Sequence, residues 1–422
     1  MKVKIHPSKN KPVALKMPTS KSMAHRAIIC AALAKGKSRI SGVYFSEDVK
    51  VMAQAMAHLG AKIVPDGQDI VIEGIQDFKH FDHQVIDCGE SGSALRFSIP
   101  LFSLTDEKVL FQGHGKLMDR PLSVYKDIFD QQGLLFDEGV DTLVIEGKLR
   151  PGRYEVPGDI SSQFITGLLT TLPLLEDDSY IKVIPPFESS SYVQMTLSML
   201  SSFGIVVEWV DPYTMKIKGN QEYHASDVVV EGDYSQMAFF AALGCINHGI
   251  EIKEMHKDSY QGDKAIVSIL KAMGAKLKDS DQDYVFEPSK LTGTTIDLRN
   301  CPDLGPILFA LASVCEGECN FIHCERLRMK ESDRISAMQQ ELRKLGVSLV
   351  EEEEYVKIKG VQRIHPTEEL DGHKDHRVVM ALSILATVSD TAVVIDGVEA
   401  VNKSYPHFFE DLKKTGIEIE LI

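Results

Sequence analysis

The sequence lacks the segments that place a chain in or across a membrane. No apolar run in its 422 residues approaches the roughly 18–20 residues that a membrane-spanning helix requires. The first seven residues, Met1 to Pro7, have no apolar core and do not resemble a secretory signal. The seven cysteines are odd in number and widely spread, which favours reduced thiols. These absences predict a cytoplasmic protein without membrane contact.

The signatures of common cofactors are absent as well. Neither G-x-G-x-x-G nor G-x-x-x-x-G-K-[ST] follows a predicted strand, so no nucleotide cofactor is indicated. Two sets of candidate metal ligands occur: Cys315, Cys319, His323 and Cys324, and His373 with His376. The first set lacks paired C-x2–4-C knuckles, and the second has no clear third ligand. We therefore predict no cofactor and no metal ion.

Positive charge is scarce. The chain has 46 Lys and Arg against 61 Asp and Glu, a formal net charge of −15, which argues against a nucleic-acid surface. Cations that cluster in so acidic a protein need a local reason. Such a cluster occurs between Pro18 and Arg26.

The stretch from Pro18 to Arg26 is predicted to begin a helix. Apolar residues at helical spacing follow Pro18, with Ser20 or Ser22 as the N-cap and Lys21 in the first turn. A cation at a helix N-terminus costs about 0.3–1 kcal/mol unless an anion compensates it. Ser22 and Arg26 share a helix face, so their side chains could hold one phosphate or carboxylate together. The alternative interpretation is a solvated basic helix start.

A pattern of helix, glycine and strand recurs roughly every 70 residues, too long for a solenoid repeat. The glycines at the predicted helix ends are Gly60, Gly133, Gly204, Gly274, Gly346 and Gly416. Glycine takes the left-handed conformation of a helix C-cap most readily. A further helix of small and aliphatic residues precedes each one, beginning near Ser22, Ser91, Ser161, Tyr234, Asp303 and His376. The chain is therefore predicted to contain six units, each with two helices and several strands.

Six such units favour an α/β protein with two lobes of three units each. The first helix of each unit is predicted to be buried beneath outer sheets, with all helix N-termini forming one anion-attracting layer. The segment 220–233 is polar, and we place one crossing between lobes there and the other near Pro18. The predicted lobes are residues 20–229, with units one to three, and residues 1–19 plus 230–422, with units four to six. The active site is expected in the cleft between them.

Polar and charged residues recur at the predicted helix starts. Ser161, Ser162 and Gln163 stand in succession, and Lys330 lies four residues before Arg334. Like charges at that spacing cost a few tenths of a kcal/mol without an anion. A cap or a surface ion pair explains any one such site. Because the cations return at the same place in the repeat, the set as a whole favours an anionic ligand.

These motifs resemble the 5-enolpyruvylshikimate-3-phosphate (EPSP) synthase family over the whole chain. The matching stretches are Ser20-Lys21-Ser22 with Arg26, Ser161-Ser162-Gln163, Lys330-Glu331-Ser332-Asp333-Arg334, Asp375-His376-Arg377 and Lys403-Ser404-Tyr405-Pro406. The resemblance implies two lobes of three βαβαββ units with buried parallel helices. It also implies transfer of the enolpyruvyl group of phosphoenolpyruvate to the 5-hydroxyl of shikimate 3-phosphate, with release of phosphate, in aromatic amino-acid biosynthesis. A monomer is expected.

The resemblance assigns roles residue by residue. It implies that shikimate 3-phosphate is held by Lys21, Ser22, Arg26, Ser161, Ser162, Gln163, Ser189, Tyr192, Asp303 and Lys330. It implies that phosphoenolpyruvate is held by Lys21, Gly92, Arg120, Gln163, Arg334, Arg377 and Lys403. Proton transfers would fall to Asp303, Glu331 and Lys21, in an order left open. The resemblance also implies that the inhibitor glyphosate lies beside Gly92. One departure is Glu90, where the family commonly has asparagine.

Two alternatives remain open from the sequence. UDP-N-acetylglucosamine enolpyruvyl transferase has the same architecture and donor, but it usually carries a reactive cysteine on a loop of the second unit. The corresponding stretch here, Gln112 to Asp119, contains no cysteine. A six-unit structural ring around nucleic acid would require a basic inner surface, whereas this chain is acidic and its cations gather at helix starts.

Overall fold

The computed structural model describes residues 1–8, 11–76, 78, 85–352 and 355–422. The chain divides into two compact units. One, which we call the inserted lobe, is residues 19–231, and the other, the terminal lobe, is residues 1–18 with 232–422. The predicted boundaries at residues 20 and 229 lie within two residues of this division.

The chain begins in the terminal lobe with β1 (Lys2–Ile5) and β2 (Val13–Lys16). The inserted lobe follows, with α1 (Lys21–Leu33), β3 (Lys37–Ser41), α2 (Glu47–His58), β4 (Lys62–Asp66), β5 (Asp69–Glu73), β6 (Val85–Asp87), α3 (Gly92–Phe102), β7 (Lys108–Gln112), α4 (Ser123–Gln132), β8 (Leu135–Glu138), β9 (Thr142–Glu146), β10 (Arg153–Pro157), α5 (Ser162–Thr171), β11 (Ser179–Ile184), α6 (Ser190–Ser202), β12 (Val207–Asp211), β13 (Thr214–Ile217) and β14 (Val228–Val229). A 3-10 helix at Leu172–Leu174 extends α5.

The remainder of the terminal lobe comprises α7 (Tyr234–Ile246), β15 (Ile250–Lys253), α8 (Ala265–Ala272), β16 (Lys276–Asp279), β17 (Tyr284–Glu287), β18 (Thr295–Asp297), α9 (Gly305–Ala312), β19 (Glu318–Ile322), α10 (Arg334–Lys344), β20 (Leu349–Glu351), β21 (Tyr355–Lys359), β22 (Leu370–Asp371), α11 (His376–Ala386), β23 (Val393–Asp396), α12 (Phe408–Lys414) and β24 (Ile419–Leu421). In the part of this lobe that the structure describes, four 3-10 helices lie between these elements, at Gly262–Lys264, Pro302–Leu304, Glu325–Met329 and Val398–Lys403.

Within the described residues the strands form six four-stranded sheets that share one pairing pattern. In the second unit β6 pairs parallel with β7, which pairs antiparallel with β9, which pairs antiparallel with the edge strand β8. The parallel pair is joined through a helix, as a parallel connection requires. The second, third and fifth units are each continuous βαβαββ segments, as the resemblance implies.

The first strands of units one and four are exchanged between the sheets, which the sequence analysis did not anticipate. Strand β2 directly precedes α1, yet it pairs with β15 of the fourth unit, with Val13 opposite Ile250. Strand β14 directly precedes α7, yet it pairs with β3 of the first unit, with Val228 opposite Ile40. The two lobe boundaries therefore fall just after these strands, and each exchanged strand completes the sheet of a lobe.

The chain termini complete the sixth sheet. Strand β1 lies between β23 and β24 and is antiparallel to both. It occupies the position that the last strand of a unit takes in the other sheets.

The first helix of every unit is buried, as predicted. All eight residues of α9 and all eleven of α11 are buried. In the inserted lobe α3 packs against α5, and in the terminal lobe α9 packs against α11. All six repeat glycines have positive φ: Gly60, Gly133, Gly204, Gly274, Gly346 and Gly416. Among the described helices, none is both long and apolar enough to cross a membrane.

Candidate active site

Helix α1 begins as the sequence predicts, with Ser20 as the N-cap. The Ser20 hydroxyl accepts a hydrogen bond from the Met23 amide at 3.4 Å. The Lys21 ammonium lies in the first turn and forms a salt bridge of 2.7 Å with Asp48. The sequence analysis missed Asp48, although the pair Glu47-Asp48 at the start of α2 is a detectable acidic signal. Lys21 is thus paired with a carboxylate within its own lobe.

Arg26 is buried and engages protein acceptors. Its Nε donates to the Thr196 hydroxyl at 2.8 Å, and its Nη1 donates to the Ser22 carbonyl at 2.8 Å. Its Nη2 donates to the Tyr192 carbonyl at 3.1 Å and to the Thr166 hydroxyl at 3.3 Å. Burial lowers the pKa of Arg26 to about 10. Ser22 therefore contacts Arg26 through its backbone carbonyl; that the two side chains hold one anion together stays a prediction.

Gly92 lies against two residues that the sequence analysis assigned to phosphoenolpyruvate. A Cβ atom at Gly92 would lie 2.8 Å from Nη1 of Arg120 and 3.5 Å from Oε1 of Gln163. Gln163 in turn accepts a hydrogen bond of 2.8 Å from Arg96, which also donates to the Pro121 carbonyl at 2.9 Å. The sequence analysis gave Arg96 no role. The structure makes it the support for Gln163.

Glu90, the departure from the family pattern, faces the turn after β7. A Cβ atom at Gly115 would lie 2.8 Å from the Glu90 carboxylate. Gly115 also has a φ of 59°, where a side chain is strained. A side chain at position 115 would therefore strain the backbone and clash with the Glu90 carboxylate.

The predicted polar residues of the third unit stand at two helix starts. Ser161 caps α5, and its hydroxyl accepts from the Gln163 amide at 3.3 Å, with Ser162 as the first helical residue. Ser189 precedes α6 with a φ of 51°, and the Tyr192 amide donates to its carbonyl at 3.0 Å. The guanidinium of Arg26 lies 6.0 Å from the centre of the Tyr192 ring.

In the terminal lobe, the Asp303 carboxylate contacts three of the predicted cations. Its carboxylate accepts from Arg334 Nη1 at 2.9 Å and from Arg377 Nη2 at 3.0 Å. The Lys330 ammonium lies 3.1 Å from the same carboxylate. The residues that the sequence placed in the fifth and sixth units thus form one cluster.

Arg334 is the centre of that cluster and is 1% exposed. Its Nε donates to Asp375 at 2.9 Å, and its Nη2 donates to Glu331 at 2.9 Å. Asp375 also accepts from the Ser332 hydroxyl at 3.0 Å and caps α11 by accepting from the Arg377 amide at 2.9 Å. The sequence analysis quoted Asp375 in a motif without a role, and the signal for one was its N-cap position before His376.

The electrostatics of this cluster hold Asp303 ionised. Burial opposes ionisation, but the charges of Arg377, Lys330 and Arg334 outweigh it and hold the pKa of Asp303 well below its usual range. Burial lowers the pKa of Lys330, and Asp303 partly counters that effect. Burial acts against the charge of Arg334 too, but Asp375, Glu331 and Asp303 raise its pKa. Mutual pairing therefore sustains all of these charges.

Lys403 ends the 3-10 helix Val398–Lys403 and is 8% exposed. Its ammonium donates to the Lys374 carbonyl at 2.8 Å. Lys374 lies in the turn that leads into α11, next to Asp375.

Cations at the helix starts have anionic partners within the protein. The sequence analysis left an ion pair open for each single site and favoured an anionic ligand for the set as a whole, which stays a prediction. The structure provides protein carboxylates: Asp48 for Lys21, and Asp303, Glu331 and Asp375 for the terminal-lobe cations. Asp48, Asp303 and Asp375 lie at least 27 residues from the cations they pair with, so spacing alone did not reveal them, whereas Glu331 lies only three residues before Arg334.

The candidate metal ligands from the sequence do not form a set of three close ligand atoms. Among the described residues, such a set within 4.8 Å of one another occurs only at His6, Glu418 and Glu420, on the surface where β1 meets β24. His373 instead binds Glu341, with 2.9 Å between Nε2 and Oε1.

Comparison with known proteins identifies the family. The model of the family "EPSP synthase (3-phosphoshikimate 1-carboxyvinyltransferase)" matches residues 6–412. The chain belongs to the EPSP synthase family. It is therefore a member of a family of transferase enzymes.

Curated relatives agree over nearly the full length. The 3-phosphoshikimate 1-carboxyvinyltransferase of Clostridium kluyveri is 43% identical over 96% of this chain and 95% of its own. Those of Clostridium perfringens and Clostridioides difficile are 44% and 42% identical, over 98% and 99% of this chain and 98% of each relative.

Solved structures share the fold. EPSP synthase of Acinetobacter baumannii superposes with a TM-score of 0.82 at 24% identity over 99% of both chains. An enolpyruvyl transferase of Streptomyces tendae superposes with a TM-score of 0.81 at 16% identity, over 99% of this chain and 98% of its own. At these identities the likeness concerns the fold.

Proposed function

We propose that the chain transfers the enolpyruvyl group of phosphoenolpyruvate to the 5-hydroxyl of shikimate 3-phosphate and releases inorganic phosphate, in the shikimate pathway of aromatic amino-acid biosynthesis. The observation that carries the proposal is the terminal-lobe cluster in which the Asp303 carboxylate forms salt bridges with Lys330, Arg334 and Arg377. Family membership supplies the reaction. We place the enzyme in the cytoplasm as a monomer.

In this proposal the substrates' anionic groups are held by the residues that the resemblance assigns to them. Shikimate 3-phosphate binds Lys21, Ser22, Arg26, Ser161, Ser162, Gln163, Ser189, Tyr192, Asp303 and Lys330. Phosphoenolpyruvate binds Lys21, Gly92, Arg120, Gln163, Arg334, Arg377 and Lys403. The three helix starts that carry Lys21, Gly92 and Ser162 add backbone amides and partial positive charge to these sites.

Substrate binding changes the charge balance around Asp303. Without substrate, three cations lower the pKa of this carboxylate and make it a weak base. The carboxylate and phosphate of phosphoenolpyruvate compete for Arg334 and Arg377, so their effect on Asp303 weakens when substrate binds. A base whose pKa rises on binding is suited to accept the proton of the 5-hydroxyl.

The chemistry requires that one C–O bond forms and another breaks. The 5-hydroxyl oxygen bonds to C2 of phosphoenolpyruvate while its proton passes to a base and C3 gains a proton. The bond between C2 and the phosphate oxygen then breaks, and C3 gives up a proton to restore the double bond. Asp303 and Glu331 carry the proton transfers, and Lys21 stabilises or protonates the departing phosphate.

The decisive experiment measures phosphate release by the purified chain. Release from phosphoenolpyruvate is expected only when shikimate 3-phosphate is present, without added nucleotide or metal. A parallel reaction contains UDP-N-acetylglucosamine in place of shikimate 3-phosphate. Release in that reaction alone, or in neither, would refute the proposal.

A further inference from the structure

The turn between β22 and α11 holds two consecutive residues in an unusual backbone conformation. His373 has a φ of 51° and Lys374 a φ of 54°. Residues other than glycine rarely take this left-handed conformation, and two in succession persist only where neighbouring groups hold them. The groups that hold this turn lie on α10 and on the turn itself.

The first of these groups is Glu341, which lies on α10 and is 1% exposed. The His373 ring Nε2 donates to Glu341 Oε1 at 2.9 Å. The other oxygen, Oε2, accepts from the Asp371 amide at 2.9 Å and from the Lys344 ammonium at 2.8 Å. Both oxygens of Glu341 are thus engaged, and two of their donors belong to the chain just before Lys374.

Glu341 is held in its charged form. Burial opposes ionisation, but the hydrogen bonds from His373, Lys344 and the Asp371 amide outweigh it and lower the pKa of Glu341. A buried, ionised carboxylate with fixed donors is a rigid anchor.

The other end of the turn reaches the proposed active site. The Lys374 carbonyl accepts a hydrogen bond of 2.8 Å from the Lys403 ammonium. Because φ and ψ at residues 373 and 374 set the direction of that carbonyl, they also set where the ammonium lies. A lysine side chain has four rotatable bonds, so a fixed acceptor restricts it strongly.

We propose that Glu341 and His373 are positioning residues that hold the Lys374 carbonyl in place, and through it the Lys403 ammonium, in the geometry that binds phosphoenolpyruvate. This inference rests on the proposed function, which assigns Lys403 to that substrate. It adds Glu341 and His373, which do not touch the substrate in the proposal. It also adds the backbone carbonyl of Lys374, which links them to Lys403.

The first test replaces His373. In His373→Asn the residue type still tolerates the left-handed conformation, but the side chain is too short to reach Glu341. We expect the KM for phosphoenolpyruvate to rise roughly 5- to 100-fold, because small displacements of a substrate-binding group have effects of this size. The KM for shikimate 3-phosphate should stay within about twofold of its original value. His373→Gln can still donate to Glu341 and should recover part of the loss.

The second test releases the backbone at one position. Lys374→Gly keeps the carbonyl but frees the backbone dihedral angles, so it should raise the KM for phosphoenolpyruvate without lowering Tm. His365→Asn, at an exposed histidine that pairs with Asp390, is the matched histidine control and should have no effect on either KM.

Lys403→Met separates failure of this inference from failure of the proposed function. If that variant leaves the KM for phosphoenolpyruvate unchanged, the assignment of Lys403 in the proposed function is wrong. If it raises that KM but His373→Asn and Lys374→Gly do not, the positioning role is refuted and the role of Lys403 remains. Equal rises in both KM values for His373→Asn, in parallel with a fall in Tm, would also refute the positioning role.

Discussion

One buried arginine in each lobe is stabilised in a different way: Arg26 in the inserted lobe and Arg334 in the terminal lobe. In the inserted lobe, Arg26 donates to hydroxyl and carbonyl oxygens, which are neutral. In the terminal lobe, Lys330, Arg334 and Arg377 are paired with three carboxylates, those of Asp303, Glu331 and Asp375. Neutral acceptors leave the charge of a guanidinium uncompensated, whereas carboxylates balance it.

This difference corresponds to two separate requirements of the proposed function, anion binding and proton transfer. A buried cation with neutral partners attracts an anion without having to leave a charged partner, which suits binding. Cations paired with carboxylates must exchange partners when an anionic substrate arrives, and the exchange changes the basicity of the carboxylates. Arg26 is accordingly suited to holding an anion, and the cluster around Asp303 to coupling binding with proton transfer.

The largest expected effect comes from Arg334→Met. The substitution leaves Asp375, whose side chain is 0% exposed, without its guanidinium, and breaking a buried pair in this way costs about 3–5 kcal/mol. Activity should be lost as well. Arg26→Met, the matched change in the inserted lobe, leaves only neutral acceptors and should cost about 1–3 kcal/mol. Urea unfolding of both variants measures the difference.

The double variant Arg334→Met with Asp375→Asn is the control for Arg334→Met. It removes the buried negative charge, so it should regain part of the lost stability without regaining activity. Equal costs for Arg334→Met and Arg26→Met would mean that charge pairing does not distinguish these two arginines.

Asp303→Asn is expected to have the next largest effect, on kcat. Loss of a proton-transfer group typically lowers the rate roughly 10²- to 10⁴-fold. The KM for phosphoenolpyruvate should stay the same or fall, because Arg334 and Arg377 no longer have Asp303 as a competing anion. Asp48→Asn, which removes the salt bridge of Lys21 in the other lobe, should lower kcat by roughly tenfold at most. A rise in KM with unchanged kcat for Asp303→Asn would assign Asp303 to binding alone.

Two buried groups, His25 in the inserted lobe and Asp263 in the terminal lobe, should make the free energy of unfolding depend on pH with opposite signs. In the inserted lobe, burial lowers the pKa of His25 from 6.5 to about 3, so the unfolded chain binds an extra proton below pH 6.5 and stability falls as pH falls. In the terminal lobe, burial and the charge of Asp303 raise the pKa of Asp263 from 3.8 to about 7. The folded chain then binds the extra proton between these values, so stability rises as pH falls from 7 towards 4.

Urea unfolding at pH 5 and pH 7 tests this pair. Relative to the unaltered chain, His25→Gln should be more stable at pH 5 than at pH 7, and Asp263→Asn should be less stable at pH 5 than at pH 7. Each effect is at most about 1.4 kcal/mol per pH unit, the value for one proton. Shifts of the same sign in both variants would contradict the assignment.

The sequence predicted the repeat more fully than the contacts between repeats. The repeat glycines and the buried helices depend on local conformation and on hydrophobic periodicity, so the sequence carries them directly. The exchange of β2 and β14 was missed because each strand precedes a helix as if it belonged to the same unit, and only pairing with a distant strand reveals the exchange.

The candidate site was predicted unevenly for the same reason. Arg334 and Arg377 stand at helix starts, and the resemblance assigned them to phosphoenolpyruvate, which stays a prediction. Asp48 and Glu341 were missed because their importance depends on partners brought together by folding, namely Lys21 and His373.

The smallest expected effect is that of Gly92→Ala, which tests whether the inserted lobe binds anions through a preformed arrangement. The new methyl group would lie 2.8 Å from Nη1 of Arg120, so the guanidinium must shift by a few tenths of an ångström. Because that atom ends a flexible side chain, stability should change by less than about 1 kcal/mol. The KM for phosphoenolpyruvate should rise severalfold, and inhibition by glyphosate should weaken more, since the resemblance places the inhibitor beside Gly92.

Gly133→Ala, at an exposed helix end where a Cβ meets nothing within 4 Å, is the control for alanine in place of glycine. It should lower stability, because φ is 68° there, without changing either constant. If Gly92→Ala leaves both constants unchanged, Arg120 adapts freely and the inserted lobe does not bind its anion through a fixed arrangement.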